Sequence, residues 1–206
     1  GILHDGDADR MLAIDDRGDF VGGDALLALF GRRETGAGDR IAAPVNTSMA
    51  VADALADQGA DVAYSRVGDV FVAERTAESA VVFGGEPSGA WIWPRRTKCP
   101  DGPLAACRLA AIVADSGPLS ALVAALPAYP IRRDAVRTDR KAAVMERVTR
   151  LAGTEYADVQ TLDGVRIDAD EGWFLIRASG TEPVVRLTAE GRDGDAADAL
   201  LETARE

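Results

Sequence analysis

The chain has 206 residues, 47% of them hydrophobic, and a formal net charge of −11, which allows one or two packed domains. The charge excludes nucleic acid and anionic membrane as natural partners, since both would repel it. No apolar run reaches transmembrane length and none reads as a signal peptide.

Lys98 and Lys141 are the only lysines among 23 basic residues, and aspartate outnumbers glutamate about two to one. Dense carboxylates keep a protein hydrated in concentrated salt, so this surface reads as halophilic, although a GC-rich codon bias would leave the same counts. Cys99 and Cys107 stand eight apart, and His4 is the only histidine, so no zinc set is expected. Two isolated cysteines suit a reducing cytoplasm. The chain starts with Gly1 at the edge of a strand-like run, and sequence upstream of it is expected.

Ile2-Leu3-His4 and Met11-Leu12-Ala13-Ile14 read as neighbouring strands around the loop Asp5-Gly6-Asp7-Ala8-Asp9-Arg10. Gly6 and Ala8 permit a tight turn, and Asp5, Asp7 and Asp9 could aim their oxygens at one hard cation such as Mg²⁺. Arg10 could then serve a phosphate oxygen on that metal. The plain alternative is an acidic turn in an acidic protein. An EF-hand loop starting at Asp5 would need Gly and Glu where Arg10 and Asp16 stand. Asp5 could also be the nucleophile of an aspartyl-phosphate phosphatase, a family with Thr or Val where Asp9 stands.

A turn at Asp16-Arg17-Gly18 precedes a helix capped by Gly22-Gly23-Asp24 and filled by residues 25–30. Residues 1–33 are too few to bury their own core and read as the end of a domain. Beyond a polar linker, strands at 40–45, 61–64 and 80–83 alternate with helices at about 47–58, 69–75, 103–114 and 119–126. That alternation predicts a three-layer α/β/α domain over residues 38–130 with a mixed, mostly parallel sheet. Ser48 caps the first of these helices, and Asp69 is a candidate cap for the second. Pro127-Ala128-Tyr129-Pro130 reads as a hinge. A helix at 140–151, strands at 165–167, 173–176 and 184–189, and a helix at 195–204 predict an α+β domain over 134–206.

Three further loops carry polar chemistry. Val67-Gly68-Asp69 lies between strand and helix. Gly84-Gly85-Glu86-Pro87-Ser88-Gly89 follows a strand where parallel sheets present ligand loops. Its paired glycines would let backbone approach a ligand, and Glu86 and Ser88 offer an acceptor and a donor suited to a vicinal diol. In Arg177-Ala178-Ser179-Gly180-Thr181-Glu182-Pro183, two hydroxyls, the N–H groups around Gly180, Arg177 and the nearby Arg186 could wrap a phosphate. Plain turns would explain the last two loops equally well.

Asp5-Gly-Asp-Ala-Asp-Arg10 resembles the metal loop of the α-D-phosphohexomutases, the family of phosphoglucomutase, phosphomannomutase and phosphoglucosamine mutase. Residues 67–69 and 84–89 resemble its sugar-facing loops, and residues 177–183 its phosphate loop. The metal, sugar and phosphate loops follow the family's order and span nearly the whole chain. The resemblance implies that residues 1–33 end the family's second domain, that 38–130 is its third, and that 134–206 is its fourth, TATA-box-binding-protein-like domain. It implies Mg²⁺ on Asp5, Asp7 and Asp9 with Arg10 beside the reacting phosphate, and a phosphorylated hexose held by Gly68, Asp69, Glu86, Ser88, Arg177, Ser179, Gly180, Thr181 and Arg186. Three departures stand out. Ala90 occupies the place of a usual His, Pro87 that of a usual Gln, and the family's phosphoserine loop, Ser-His-Asn-Pro-like, does not occur in these residues. The implied reaction interconverts hexose 1- and 6-phosphates, with this stretch silent alone and partnered by upstream domains or by a second copy. A non-catalytic phosphosugar-binding or assembly module is the alternative.

Overall fold

A computed structural model describes all 206 residues, and they divide into two compact units, Gly1–Ala128 and Tyr129–Glu206. The division falls inside the proline-flanked segment 127–130. No helix is long and apolar enough to cross a membrane.

The first unit opens with a small antiparallel sheet of β1 (Ile2–His4), β2 (Met11–Ile14) and β3 (Phe20–Val21). The β2–β3 turn is built by Asp15, whose Oδ1 accepts from the backbone N–H groups of Arg17 (2.8 Å) and Asp19 (2.9 Å). Asp16 in the same turn accepts from the N–H and the hydroxyl of Ser120, each at 2.8 Å. Helix α1 (Gly23–Glu34) follows, with Gly22 as its N-cap and no side chain capping it. Asp24, expected in that role, instead accepts the Ser48 N–H at 2.9 Å. Leu26 to Gly31 are all buried. A helix apolar on every side belongs inside a core, not on its rim.

The chain then alternates through β4 (Arg40–Pro44), α2 (Met49–Ala56), β5 (Asp61–Ser65), α3 (Asp69–Arg75) and β6 (Val81–Glu86). It continues through β7 (Ala90–Ile92), α4 (Gly102–Ser116) and α5 (Leu119–Ala124). Ser48 caps α2 by accepting the Ala50 N–H at 3.1 Å. The second sheet has the order β5-β4-β6-β7, with β4, β5 and β6 parallel and β7 antiparallel. Ile41 and Ala43 of β4 pack in the cluster that holds α1, α2, α4 and α5, while Ala42 packs with Val72 of α3 on the opposite face. The three layers are therefore helix, sheet and helix. No break in packing falls near residue 33, because α1 forms the centre of this layer. Its Phe30 meets Phe83, Trp91 and Trp93 at ring-centroid distances of 5.9, 5.2 and 5.5 Å.

Gly84 and Gly85, read from sequence as openings for a ligand, serve the core instead. A Cβ on Gly84 would lie 2.8 Å from the Thr76 methyl and 2.9 Å from Val72, and one on Gly85 would lie 2.6 Å from the Trp91 ring. The absent side chains make room for neighbours of the same domain.

The second unit comprises β8 (Ile131–Arg137), α6 (Lys141–Glu155), β9 (Val159–Gln160), β10 (Val165–Ala169), β11 (Gly172–Ala178), β12 (Val184–Gly191) and α7 (Gly194–Arg205). Its five strands are antiparallel in the order β8-β12-β11-β10-β9. One face, with Val165, Ile167, Phe174, Ile176, Val185 and Leu187, packs on Ala152 of α6 and Leu201 and Ala204 of α7. The edge strand β8 shows no strand pattern in the sequence: Ile-Arg-Arg-Asp-Ala-Val-Arg carries the charges that protect a sheet edge from stray pairing, and these mask its alternation.

Charged pairs fasten β8 to α7. Arg132 Nε donates to Asp198 at 2.6 Å, and Arg205 Nε donates to Asp134 at 2.8 Å. These hydrogen bonds from Arg132 and Arg205 hold both carboxyls below their ordinary value of 3.8. A carboxyl lowered in the folded state stabilises the fold fully above its unfolded value and loses that contribution as pH falls through the lowered one. The doubly substituted D134N/D198N chain is therefore expected to melt at a lower temperature than the parent near neutral pH. That gap, followed by circular dichroism, should close in acid below the ordinary carboxyl range. A gap that persists there would show that the pairs do not act through their charge.

Candidate functional site

Asp5, Asp7 and Asp9 project from the β1–β2 loop, and each can offer one carboxylate oxygen so that the three lie within 4.8 Å of one another. Ala8, with φ of 61°, and a 3.3 Å bond from its N–H to the Asp5 carbonyl turn the loop. Arg10 Nε lies 3.8 Å from Asp5 and 3.9 Å from Asp9. Desolvation raises the pKa of Asp9; the neighbouring Asp7 and Asp5 add to the rise, Arg10 opposes it, and Asp69 adds a smaller push. An all-oxygen set gathered at the expense of mutual repulsion fits a hard divalent cation.

The loop is braced from below by the start of α4. A Cβ on Gly102 would lie 2.4 Å from the Ala8 carbonyl oxygen and 2.9 Å from that of Arg10, so only glycine fits against this backbone. His4 Nδ1 donates to the Arg10 carbonyl at 2.8 Å. The single histidine is thus part of the loop's frame.

The stretch expected as a sugar loop is a β-hairpin. β6 runs through Glu86, the Gly89 N–H closes the turn on the Glu86 carbonyl at 2.9 Å, and Gly89 takes a φ of 102°. This is the three-residue hairpin with its last position left-handed. Pro87 rests against Gly23 of α1, where a Cβ would lie 1.8 Å from the Pro87 oxygen. The other side of the turn joins the aspartate loop: the Met11 N–H donates to the Gly89 carbonyl at 2.9 Å, and Arg10 pairs with Ala90 in an antiparallel bridge. The two loops form one framework inside the first unit.

Glu86 and Ser88 are already engaged. Glu86 is 8% exposed; its carboxylate accepts the Gly68 N–H at 2.7 Å and the Ser88 hydroxyl at 3.0 Å. Glu86 thereby ties Val67-Gly68-Asp69 to the hairpin. Gly68, at φ of 130°, is the N-cap of α3. Asp69 is its first helical residue, with its carboxylate on the Val70 N–H at 3.0 Å, rather than the cap expected from sequence.

In the sequence, Asn46 and Thr47 are marked only by the start of the helix that Ser48 caps. Asn46 Oδ1 and Thr47 Oγ1 are buried without a hydrogen-bond partner. They follow β4 at the carboxyl edge of the parallel strands, where such sheets bind ligands and where β6 presents Glu86. The order β5-β4-β6 marks this loop, because successive parallel strands are laid down on opposite sides of β4.

In the second unit, Arg177 and Arg186 stand directly opposite each other on β11 and β12. Like charges in that register repel unless an anion lies near. Asp163, 3.5 Å from Arg177, and Glu182, paired with Arg186, supply it. Ser179 is buried at 4% exposure, and its hydroxyl accepts the Glu182 N–H at 3.2 Å, so it shapes the turn. Gly180 and Thr181 are exposed. Lys141, given no role by the sequence pattern, donates to the carbonyls of Ser179 and Glu182.

The first unit is an α/β/α domain bearing the aspartate loop, and the second is an α+β domain with an arginine-flanked Ser-Gly-Thr turn. Residues 22–129 match the family model for phosphoglucomutase/phosphomannomutase, alpha/beta/alpha domain III, and residues 135–206 match that for the C-terminal domain. The chain belongs to the phosphohexomutase family. It is 47% identical over 196 residues to a probable phosphoglucosamine mutase of Methanosarcina barkeri, covering 94% of this chain and 44% of that protein. It is also 47% identical over 206 residues to one from Methanococcoides burtonii, covering 99% and 46%. A crystal structure of a phosphoglucomutase/phosphomannomutase family protein from Burkholderia thailandensis superposes with a TM-score of 0.87 at 25% identity, covering 100% of this chain and 45% of that one. The chain spans less than half the length of these relatives.

Removing the Glu86 carboxylate would take the partner from the half-buried Gly68 N–H and leave the exposed Ser88 hydroxyl to water. Glu86→Ala is expected to destabilise the first unit by about 1–3 kcal/mol, read as a lowered midpoint in denaturant. An unchanged midpoint would show that the loops hold together without it.

Proposed function

We propose that this chain carries the metal-, sugar- and phosphate-binding parts of a phosphohexomutase that interconverts hexose 1-phosphate and hexose 6-phosphate, with glucosamine phosphate as the favoured substrate. The observation that carries this reading is the aspartate loop pinned to the sugar hairpin through Met11–Gly89 and Arg10–Ala90. The names of relatives at 47% identity support the choice of amino sugar. The phosphoryl carrier in this reading is a serine outside these residues, as the family resemblance implies.

Asp5, Asp7 and Asp9 would hold Mg²⁺, whose charge offsets that of the phosphoryl group in flight. Arg10, tethered at its backbone to His4 and Ala90, keeps its guanidinium beside that loop and is free to exchange a carboxylate for a phosphate oxygen. Glu86 holds Gly68 and Ser88 in register, which fixes the hydroxyl and backbone groups that meet the sugar. Arg177, Arg186 and the turn at Ser179, Gly180 and Thr181 bind the phosphate that does not react. Positioning of this kind can contribute about 7–11 kcal/mol to a barrier, and it requires the nucleophile. The chain alone is accordingly expected to bind and not to turn over.

Two measurements test this. In calorimetry the chain should prefer glucosamine 6-phosphate to glucosamine by about tenfold or more, and Arg177→Gln should reduce that preference. Equal affinities for the two sugars would defeat the assignment of the phosphate turn. In the second, Gly102→Ala, which forces the Ala8 carbonyl aside, should weaken Mg²⁺ binding roughly tenfold or more with the circular dichroism spectrum intact. Mg²⁺ affinity unchanged in that variant would show that the aspartates are not the metal site.

A further inference from the structure

Lys141 is one of two lysines in the chain, and it opens α6. Its ammonium reaches across 38 and 41 residues of sequence to the carbonyl oxygens of Ser179 at 2.5 Å and Glu182 at 2.8 Å. One cation bound to both carbonyls fixes the turn between them. The turn's other groups are largely committed. The Ser179 N–H donates to the Val184 carbonyl at 2.9 Å, the Glu182 N–H to the Ser179 hydroxyl at 3.2 Å, and the Thr138 N–H to the Pro183 carbonyl at 2.9 Å. The N–H groups of Gly180 and Thr181 have no partner within the protein and belong to exposed residues.

A peptide turn can receive an anion only if its N–H groups face outward and its carbonyls do not, because a carbonyl oxygen turned toward a phosphate repels it. Serine and glycine leave that choice open, since neither imposes one orientation on the peptide planes. We propose, building on the reading of residues 177–186 as a phosphate site, that Lys141 is a positioning residue for phosphate recognition. It draws the Ser179 and Glu182 carbonyls to its own side and leaves the Gly180 and Thr181 N–H groups for the anion. Arg177 and Arg186 supply attraction. Lys141 supplies the shape, and its side chain is the only one from outside β11, β12 and their loop shown donating to this turn.

The test is a titration of the isotope-labelled chain with inorganic phosphate, followed at individual backbone amides by NMR. In the parent, the Gly180 and Thr181 amides should move downfield and saturate. Lys141→Met should weaken phosphate binding about tenfold or more and abolish those two shifts. Arg177→Gln should weaken binding and leave the shifts, at saturation, in the parental direction. Parental affinity and parental shifts in Lys141→Met would overturn the proposal while leaving the phosphate site standing. A parent chain with no saturable shift at residues 177–186 would overturn the site itself, and the role of Lys141 with it. If the methionine variant does not fold, Lys141→Arg decides: it keeps the charge but spreads its donors over a planar fork. Altered Gly180 and Thr181 shifts would then support positioning, and parental shifts with parental affinity would refute it.

Discussion

The site in the first unit depends on one buried indole. Trp91 is fully buried, its ring lies 5.2 Å from Phe30 and 6.5 Å from Phe83, and its Nε1 donates to the Met11 carbonyl at 2.7 Å. Its own carbonyl accepts the Asp101 N–H at 3.0 Å, and Asp101 caps α4 through the Leu104 N–H. One residue therefore joins the hairpin, the strand that leaves the aspartate loop and the helix that braces it. Burying such a ring contributes on the order of 4–6 kcal/mol by area, against about 1 kcal/mol for its hydrogen bond. Packing supplies the stability, and the hydrogen bond supplies the direction.

That division explains how an unfavourable charge cluster persists. Three carboxylates within 4.8 Å of one another repel, and Arg10, about half-exposed at 3.8 and 3.9 Å, offsets little of it. The loop is held instead by backbone: His4 to Arg10, Met11 to Gly89, and Gly102 beneath Ala8. Side chains on a frame fixed by other means are free to face a ligand. The turn at 179–182 follows the same logic, with Lys141 as the frame.

The features legible in the sequence were the local ones. Period and punctuation reveal α3 at residues 69–75, the cap at Ser48 and the parallel β4, β5 and β6, because each depends on neighbours a few positions away. Very short strands such as β3 and β9 carry too few residues to show a period, and β7 is three residues long behind a turn. The roles hidden from sequence are those made by distant partners. Gly84 and Gly85 look like ligand-loop glycines until Val72 and Trp91 are placed against them. Glu86 looks open until Gly68, 18 residues earlier, donates to it. The aspartate loop is readable because its three carboxylates stand at consecutive odd positions; apart from His4, the residues that stiffen it come from 89–102.

The burial of α1 on all sides has a consequence for how the protein is made. Leu26 to Phe30 leave the ribosome before any strand of the sheet they pack on, and Trp91 follows Phe30 by 61 residues (91 − 30). At about 5–20 residues per second, synthesis leaves that apolar helix uncovered for roughly 3–12 s. During this interval the helix is a target for chaperones and for premature association. Charged residues flank that apolar run on both sides, Asp15, Asp16, Arg17 and Asp19 before it and Arg32, Arg33 and Glu34 after it, and such charges favour hydration over association.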